Sequence, residues 1–247
     1  EHAGFCSPFG AAFGGSLAAT TTSGPGLSLK TEAMGLAVIT ELPLIIVDVQ
    51  RAGPSTGIPT KTEQSDLLMG MFSRHGEAPM PILAASGSAD CFEITLEATR
   101  IALKYMTPVL ILSDGYIGQA SEPWKIPSVG SLPEIKAYFA IDPSNFAPYK
   151  RDEQTLRRQW AVPGFEGMEH RIGGLAKQPE TGNVSYLPNE NEQMVHDRAK
   201  KVAKLAEVIP EQELFGPEQG DLLLVSWGST FGAVRSATTR MQARGKA

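Results

Sequence analysis

The sequence predicts an α/β protein built around a parallel sheet. Short apolar runs alternate with helical periods in the first half of the chain, which is the pattern of βαβ units. The runs at 44–49 and 109–112 are almost continuously apolar, as in strands that are covered on both faces. A length of 247 residues is sufficient to bury a real core. Ligands of such sheets lie beyond the carboxyl ends of the strands, so the loops there are the places to look for chemistry.

Each element follows from a local pattern. We predict four strands in this half, at 18–22, 44–49, 81–86 and 109–112. Apolar residues at three- and four-residue steps predict three helices, at 27–40, 65–72 and 90–105. Ser88 or Asp90 can cap the last of these helices.

The second half has a different character. Prolines interrupt residues 119–220, where we predict a long irregular segment with one helix at 191–208. Such a segment is typical of an interface. A buried strand at 221–226, a turn at Gly228 and a helix at 231–244 then predict one βα unit. We therefore divide the chain into an α/β domain (1–122), the irregular segment (123–215) and the start of a second α/β domain (216–247), and we expect a longer native protein.

Composition excludes several classes of protein. The 22 basic and 27 acidic residues give a net charge of −5. The chain therefore lacks the excess of positive charge that is typical of a nucleic-acid-binding protein. Residues 3–29 are uncharged, but Pro8, several glycines and polar residues favour buried globular chain over a membrane span. Cys6 and Cys91 are too few for a disulfide framework or an iron–sulfur cluster, which favours a cytoplasmic protein.

The loop at 50–60 carries the strongest functional signal. It begins where a buried strand ends, which places Arg51 at the ligand edge of the sheet. A guanidinium matches the planar shape of a carboxylate, and Thr60 adds a hydroxyl beside Pro59. The alternative is a loop arginine that pairs with a nearby acid.

Two other loops favour structural roles. Ser23-Gly24-Pro25-Gly26 could bind an anion, but it lacks the lysine of a phosphate loop. A tight turn that lets another group approach the backbone is the better interpretation. Asp114 stands alone beside a turn, so we predict no metal ligands in this chain.

Several long strings of residues resemble one protein family. They are TTTSGPG at 20–26 with the LSLKTEAMG that follows, VDVQRAGPSTGIPT at 47–60, RHGEAP at 74–79, LSDGY at 112–116, SEPWKIP at 121–127 and LLLVSWGST at 222–230. These strings are similar to the α subunit of 2-oxoacid:ferredoxin oxidoreductases, and most similar to the 2-oxoglutarate type. The resemblance covers nearly the whole chain.

The resemblance implies an enzyme that uses thiamin diphosphate. It would decarboxylate a 2-oxo acid, 2-oxoglutarate for this type, form an acyl-CoA and pass the electrons to ferredoxin. This chain would be the parallel-sheet domain that holds the aminopyrimidine ring. A β subunit would hold the diphosphate, magnesium and a [4Fe–4S] cluster.

The resemblance also implies roles for five residues. Glu1 would hydrogen-bond the pyrimidine nitrogen and so activate the cofactor. Arg51 and Thr60 would contact the substrate carboxylate. Ser23 and Gly24 would line the pyrimidine side of the cleft.

Three questions stay open at this stage. His2, Gly4 and Pro8 are expected to interrupt the helix that follows the glutamate in this family, which weakens the assignment of Glu1. A different thiamin-dependent 2-oxoacid enzyme is one alternative function. A non-catalytic assembly subunit with the same fold is another.

Overall fold

The fold is organised around a four-stranded, all-parallel sheet. The structure is a computed structural model and describes residues 1–245. Its strands are β1 (Ala19–Thr22), β2 (Leu44–Gln50), β3 (Ile82–Ala84) and β4 (Pro108–Asp114), and they lie side by side in the order β1-β2-β4-β3. All four lie within the predicted runs or extend them by one or two residues, so the predicted α/β class and parallel sheet are confirmed.

The two central strands show why the apolar runs are continuous. Leu44 and Ile46 of β2 join one buried cluster, whereas Ile45 between them joins another on the opposite face. In β4, Leu110 and Val109 divide between the faces in the same way. Because side chains alternate along a strand, a strand that is covered on both faces needs apolar residues at every position.

Eight α-helices are seen in residues 1–245. They are α1 (His2–Phe13), α2 (Gly24–Leu29), α3 (Thr31–Thr40), α4 (Leu67–Phe72), α5 (Asp90–Tyr105), α6 (Gly115–Gln119), α7 (Pro188–Ala203) and α8 (Thr230–Gln242). Helices α1 and α3 cover one face of the sheet and α5 covers the other. The prediction for 90–105 is confirmed residue for residue. None of the helices in the described chain is both long and apolar enough to cross a bilayer.

Helix α1 corrects one expectation. It is continuous through Pro8, although a proline has no N–H to donate to the carbonyl four residues earlier. That carbonyl belongs to Gly4, and the Thr20 hydroxyl donates to it at 2.9 Å. The donor from β1 replaces the missing helical bond, so the helix after Glu1 is not interrupted.

Two helix predictions were partly wrong. The single helix expected at 27–40 is two helices, because the chain breaks at Lys30 and turns its side chain into the interior. Helix α5 begins after Ala89 without a side-chain cap. Asp90 instead accepts two hydrogen bonds from Ser86, both 2.8 Å long, and so fixes the loop before the helix.

The irregular segment is held to the α/β domain by buried charge. Glu41, which ends α3 in a left-handed conformation, is fully buried and pairs with Arg151 (2.6 Å) and Lys201. Arg158 donates to the carbonyl of Thr40 at 2.9 Å. Cations at a helix carboxyl terminus are favourable, and here they attach the segment to the edge of the sheet away from the strands' carboxyl ends.

The strand predicted at 221–226 is wrong. These residues form no strand, and Leu222 to Val225 are between 51% and 86% exposed. A strand requires a neighbour for its backbone groups, and none of the four strands lies beside this run. The turn at Gly228 (φ +67°) and the helix after it are confirmed. The division at 122 and 215 stays a prediction.

Candidate active site

The loop after β2 places Arg51 at the carboxyl edge of the sheet, as the sequence predicts. The loop closes on itself, since Ala52 donates to Lys61 O (3.0 Å) and Gly53 donates to a Glu63 carboxylate oxygen (2.7 Å). Arg51 is half-buried, and its Nε is buried without a hydrogen-bond partner. Within residues 1–245 it forms no ion pair. The alternative, an arginine that pairs with a nearby acid, has no such pair among residues 1–245, and the role of Arg51 stays a prediction.

Thr60 lies in the same loop, in a strained conformation. Its φ of +61° is unusual for a β-branched residue, and such strain concentrates at functional sites. The Gln119 side chain at the end of α6 donates to its carbonyl at 2.9 Å. The hydroxyl-bearing side chain is exposed. Thus α6 fixes the backbone of Thr60 while its side chain faces outward.

The turn between β1 and α2 allows two carboxylates to approach the backbone. A Cβ on Gly24 would lie 2.7 Å from an Asp66 carboxylate oxygen. A Cβ on Gly26 would lie 2.6 Å from Glu1 Oε2 and would overlap the Thr22 hydroxyl. Only glycine fits at both places. This confirms the turn as a place of close approach, and Ser23 caps α2 without a side-chain bond.

Glu1 lies at this turn and pairs with a lysine. Lys30 Nζ is 2.9 Å from Glu1 Oε2, and the Thr22 hydroxyl donates to the same oxygen at 3.3 Å. Lys30 lowers the pKa of Glu1 by its hydrogen bond and its charge. The Glu1 side chain is 43% exposed, and its Oε1 has no partner among residues 1–245, so one carboxylate oxygen is available to a ligand.

A pair of buried acids lies beneath the turn. Asp48 is fully buried in β2, and neither of its carboxylate oxygens has a donor among the described residues; the same is true of Oδ2 of Asp66. Burial and the nearby negative charge of Asp66 raise the pKa of Asp48 to about 8, opposed by the charge of Lys30. Two carboxylates in one buried site cannot both ionise, so the pair holds one proton at neutral pH.

Gln50 joins the pair to the rest of the sheet edge. Its side chain donates to the Ser113 carbonyl at 3.0 Å and accepts from the Asp66 backbone N–H at 3.1 Å. These bonds link the ends of β2 and β4 to the end of the Arg51 loop. The loop is therefore anchored at both of its ends.

Asp114 has the structural role that the sequence favours. Asp114 accepts hydrogen bonds from the backbone of Tyr116 (2.8 Å) and Ile117 (3.0 Å), which makes it the cap of α6. Among residues 1–245, no three His, Cys, Asp or Glu side chains are grouped to hold a metal ion. Both cysteines, Cys6 and Cys91, are free thiols.

The structure thus brings most of the predicted residues to one edge. Glu1, Ser23 and Gly24 meet at the end of β1, and Arg51 follows the neighbouring strand β2. No hydrogen bond or ion pair joins Arg51 to Glu1 in the described chain. Sequence reasoning did not identify Lys30, Asp48 or Asp66. The one signal was Asp48, a charged residue inside an apolar strand.

Comparison with known proteins identifies relatives over nearly the whole chain. A family model described as pyruvate flavodoxin/ferredoxin oxidoreductase, thiamine diphosphate-binding, matches residues 1–187. The 2-oxoglutarate oxidoreductase subunit KorA of Mycobacterium tuberculosis is 52% identical over 246 residues, which are 99% of this chain and 37% of that protein. The 2-oxoglutarate synthase subunit KorA of Archaeoglobus fulgidus is 44% identical over 56% of this chain and 39% of that protein.

A solved structure is similar in fold as well as in sequence. It is 2-oxoglutarate:ferredoxin oxidoreductase from Magnetococcus marinus with 2-oxoglutarate, coenzyme A and succinyl-CoA bound. It matches with a TM-score of 0.93 and 34% identity, over 99% of this chain and 43% of that one. The matched regions therefore cover about two fifths of the length of each of these three relatives.

Proposed function

The chain belongs to the pyruvate flavodoxin/ferredoxin oxidoreductase family, and on that premise we propose that it is the cofactor-ring part of an α subunit that oxidises 2-oxoglutarate. The enzyme would decarboxylate the 2-oxo acid, transfer the acyl group to coenzyme A and pass the electrons to ferredoxin. The names of the M. tuberculosis and A. fulgidus relatives support this substrate, as do the ligands of the M. marinus enzyme.

The turn after β1 fits the ring of thiamin diphosphate. A ring nitrogen needs one hydrogen-bonding partner, and Glu1 offers a carboxylate oxygen that no group of the described chain contacts. Ser23 and Gly24 would line the same side of the ring. When bound, the cofactor supplies the nucleophilic carbon that attacks the 2-oxo group. The task of Glu1 is to hold a proton against the ring nitrogen.

Arg51 carries the substrate assignment. A half-buried guanidinium that no acid of the described residues contacts is suited to a carboxylate ligand, and it lies at the edge where ligands of parallel sheets bind. Thr60 would add its outward hydroxyl to the same carboxylate. The unpaired guanidinium of Arg51 is the observation that carries the proposal.

A partner subunit would complete the site. The described residues include no group of metal ligands, and two cysteines do not suffice for a [4Fe–4S] cluster. In line with the family resemblance, we assign magnesium, the diphosphate contacts and the cluster to a β subunit. The free thiols support a reducing, cytoplasmic location. Residues 1–122 would form the ring-binding domain, 123–215 a segment at an interface, and 216–247 the start of a further domain.

Arg51→Ala tests the substrate assignment. Loss of a charge-assisted, bidentate contact should raise the Michaelis constant for 2-oxoglutarate about 100-fold, on the order of 3 kcal/mol, with a smaller change in kcat. The assay is reduction of ferredoxin by the full-length enzyme with its partner and coenzyme A. Arg51→Lys should recover only part of the affinity, since an ammonium cannot form the planar pair.

Arg240→Ala is the matched control, because Arg240 is exposed on α8. It should behave as the parent enzyme does. An unchanged Michaelis constant in Arg51→Ala would contradict the carboxylate role. Absence of ferredoxin reduction by the parent enzyme with any 2-oxo acid would contradict the proposed function as a whole.

A further inference from the structure

Lys30 is a buried cation that contacts Glu1 at the turn where the cofactor ring is proposed to bind. It lies at the break between α2 and α3, and its side chain is 2% exposed. Its ammonium is 2.9 Å from Glu1 Oε2. A buried lysine is costly unless an anion pairs with it, so this placement is specific. The same break directs the side chain away from solvent and toward the turn.

Acidic groups lie on two sides of Lys30. Glu1 faces it on the ligand side, where the Thr22 hydroxyl also contacts the carboxylate. The Asp48–Asp66 pair lies on the interior side. The charge of Lys30 lowers the pKa of Asp48 and so partly opposes the effect of burial. That pair holds one proton and so carries one negative charge. Lys30 thus lies between two acidic groups, Glu1 on one side and the Asp48–Asp66 pair on the other.

We propose that Lys30 is a positioning residue that keeps the Glu1 carboxylate ionised and aimed at the cofactor ring, so that the shared proton resides on the ring nitrogen. This inference rests on the proposed function of Glu1. The pairing occupies Oε2 alone, which leaves Oε1 to the ring. Gly26 and Gly24 give the two carboxylates the space that the arrangement needs.

The sign of the effect follows from electrostatics. A positive charge close to Glu1 lowers the proton affinity of the carboxylate and of any group that shares its proton. Removal of the charge should therefore make the shared proton harder to lose. For a charge at about 5 Å in a partly solvated site, the expected change is about one pH unit.

The test is Lys30→Met in the full-length protein purified with its partner subunit. Near-ultraviolet circular dichroism of the bound aminopyrimidine, followed against pH, gives the midpoint at which the ring system loses its proton. We expect the midpoint to rise by about one pH unit in Lys30→Met. Lys30→Arg should restore the parent value, and Lys200→Met, an exposed lysine on α7, should leave it unchanged.

A double mutant shows whether Lys30 changes the midpoint through Glu1 or by acting on the cofactor ring directly. In a Glu1→Gln background, Lys30→Met should no longer move the midpoint. A Lys30→Met protein that retains thiamin diphosphate and keeps the parent midpoint would overturn the inference. A parent complex that binds no thiamin diphosphate would instead overturn the proposed function, so the two failures are distinguishable.

A measurement on the unmodified protein does not depend on the folding of a variant. The Glu1 carboxyl can be titrated by carbon NMR in cofactor-free protein labelled at glutamate, with Glu1→Gln to assign its signal. We expect a pKa below the usual value of about 4.3 for a glutamate. A pKa at or above that value would also overturn the inference.

Discussion

Asp48→Asn should change how stability depends on pH. The substitution keeps the shape of the side chain but removes its proton-binding group, and an asparagine amide can donate to Asp66. In the parent protein, burial and the charge of Asp66 raise the pKa of Asp48 to about 8, whereas an aspartate in the unfolded chain has a pKa of about 3.9. Between these two values the native state binds one proton more than the unfolded state.

The magnitude follows from that one proton. An acid whose pKa is raised on folding contributes stability at low pH, and this contribution is lost as the pH rises toward the folded-state pKa. The free energy of unfolding should therefore fall by about 1.4 kcal/mol per pH unit through this pair, or about 2.7 kcal/mol between pH 5 and pH 7. In Asp48→Asn this fall should disappear.

Urea unfolding at pH 5, 6 and 7 measures the effect. The quantity to compare is the difference in unfolding free energy between pH 5 and pH 7, parent against variant. Asp221→Asn is the control, because Asp221 is exposed outside the sheet. If Asp48→Asn loses as much stability over this range as the parent, the shared-proton account of the buried pair is refuted.

Two further substitutions test the space around Glu1 and the attachment of the irregular segment. Gly26→Ala places a methyl group 2.6 Å from Glu1 Oε2 and should weaken thiamin diphosphate binding by the complex at least about tenfold, measured by calorimetry. Gly35→Ala in the middle of α3 meets nothing within 4 Å and should leave binding unchanged while stabilising the fold by about 1 kcal/mol. Lys201→Met removes one partner of a buried ion pair and should lower the free energy of unfolding by about 3 kcal/mol, whereas the exposed Lys200→Met should change it by less than about 0.5 kcal/mol. Equal stability of the two lysine variants would contradict the anchoring role of the pair.

The sheet was predictable because its signal is local. The run at 44–49 is apolar on both faces, which fits a buried strand. The period of 90–105 fits a helix that packs on one face of a sheet. The edge position of Arg51 follows from the end of β2 in the same way. The strand predicted at 221–226 has an equally good local pattern, but strand formation depends on a neighbour, which a local pattern does not supply.

The interior of the site depends on contacts between distant residues. Lys30 fits the helical period of 27–40, in which a lysine is expected to face solvent; only its pairing with Glu1, 29 positions earlier, explains the break. Asp66 joins Asp48 because the loop between them crosses the sheet edge and is tied there by Gln50. The rescue of α1 by Thr20 is of the same kind. These charge and hydrogen-bond partners are far apart in the sequence, so a local pattern does not predict them.

The central claim is that this chain supplies only the ring side of a shared thiamin diphosphate site. Calorimetric titration of thiamin diphosphate with magnesium, into this chain alone and into its complex with the partner subunit, tests that claim most directly. The account predicts tight binding, in the micromolar range or better, by the complex and at least about 100-fold weaker binding by the chain alone, since diphosphate and metal contacts contribute several kcal/mol. Equally tight binding by the isolated chain would contradict it.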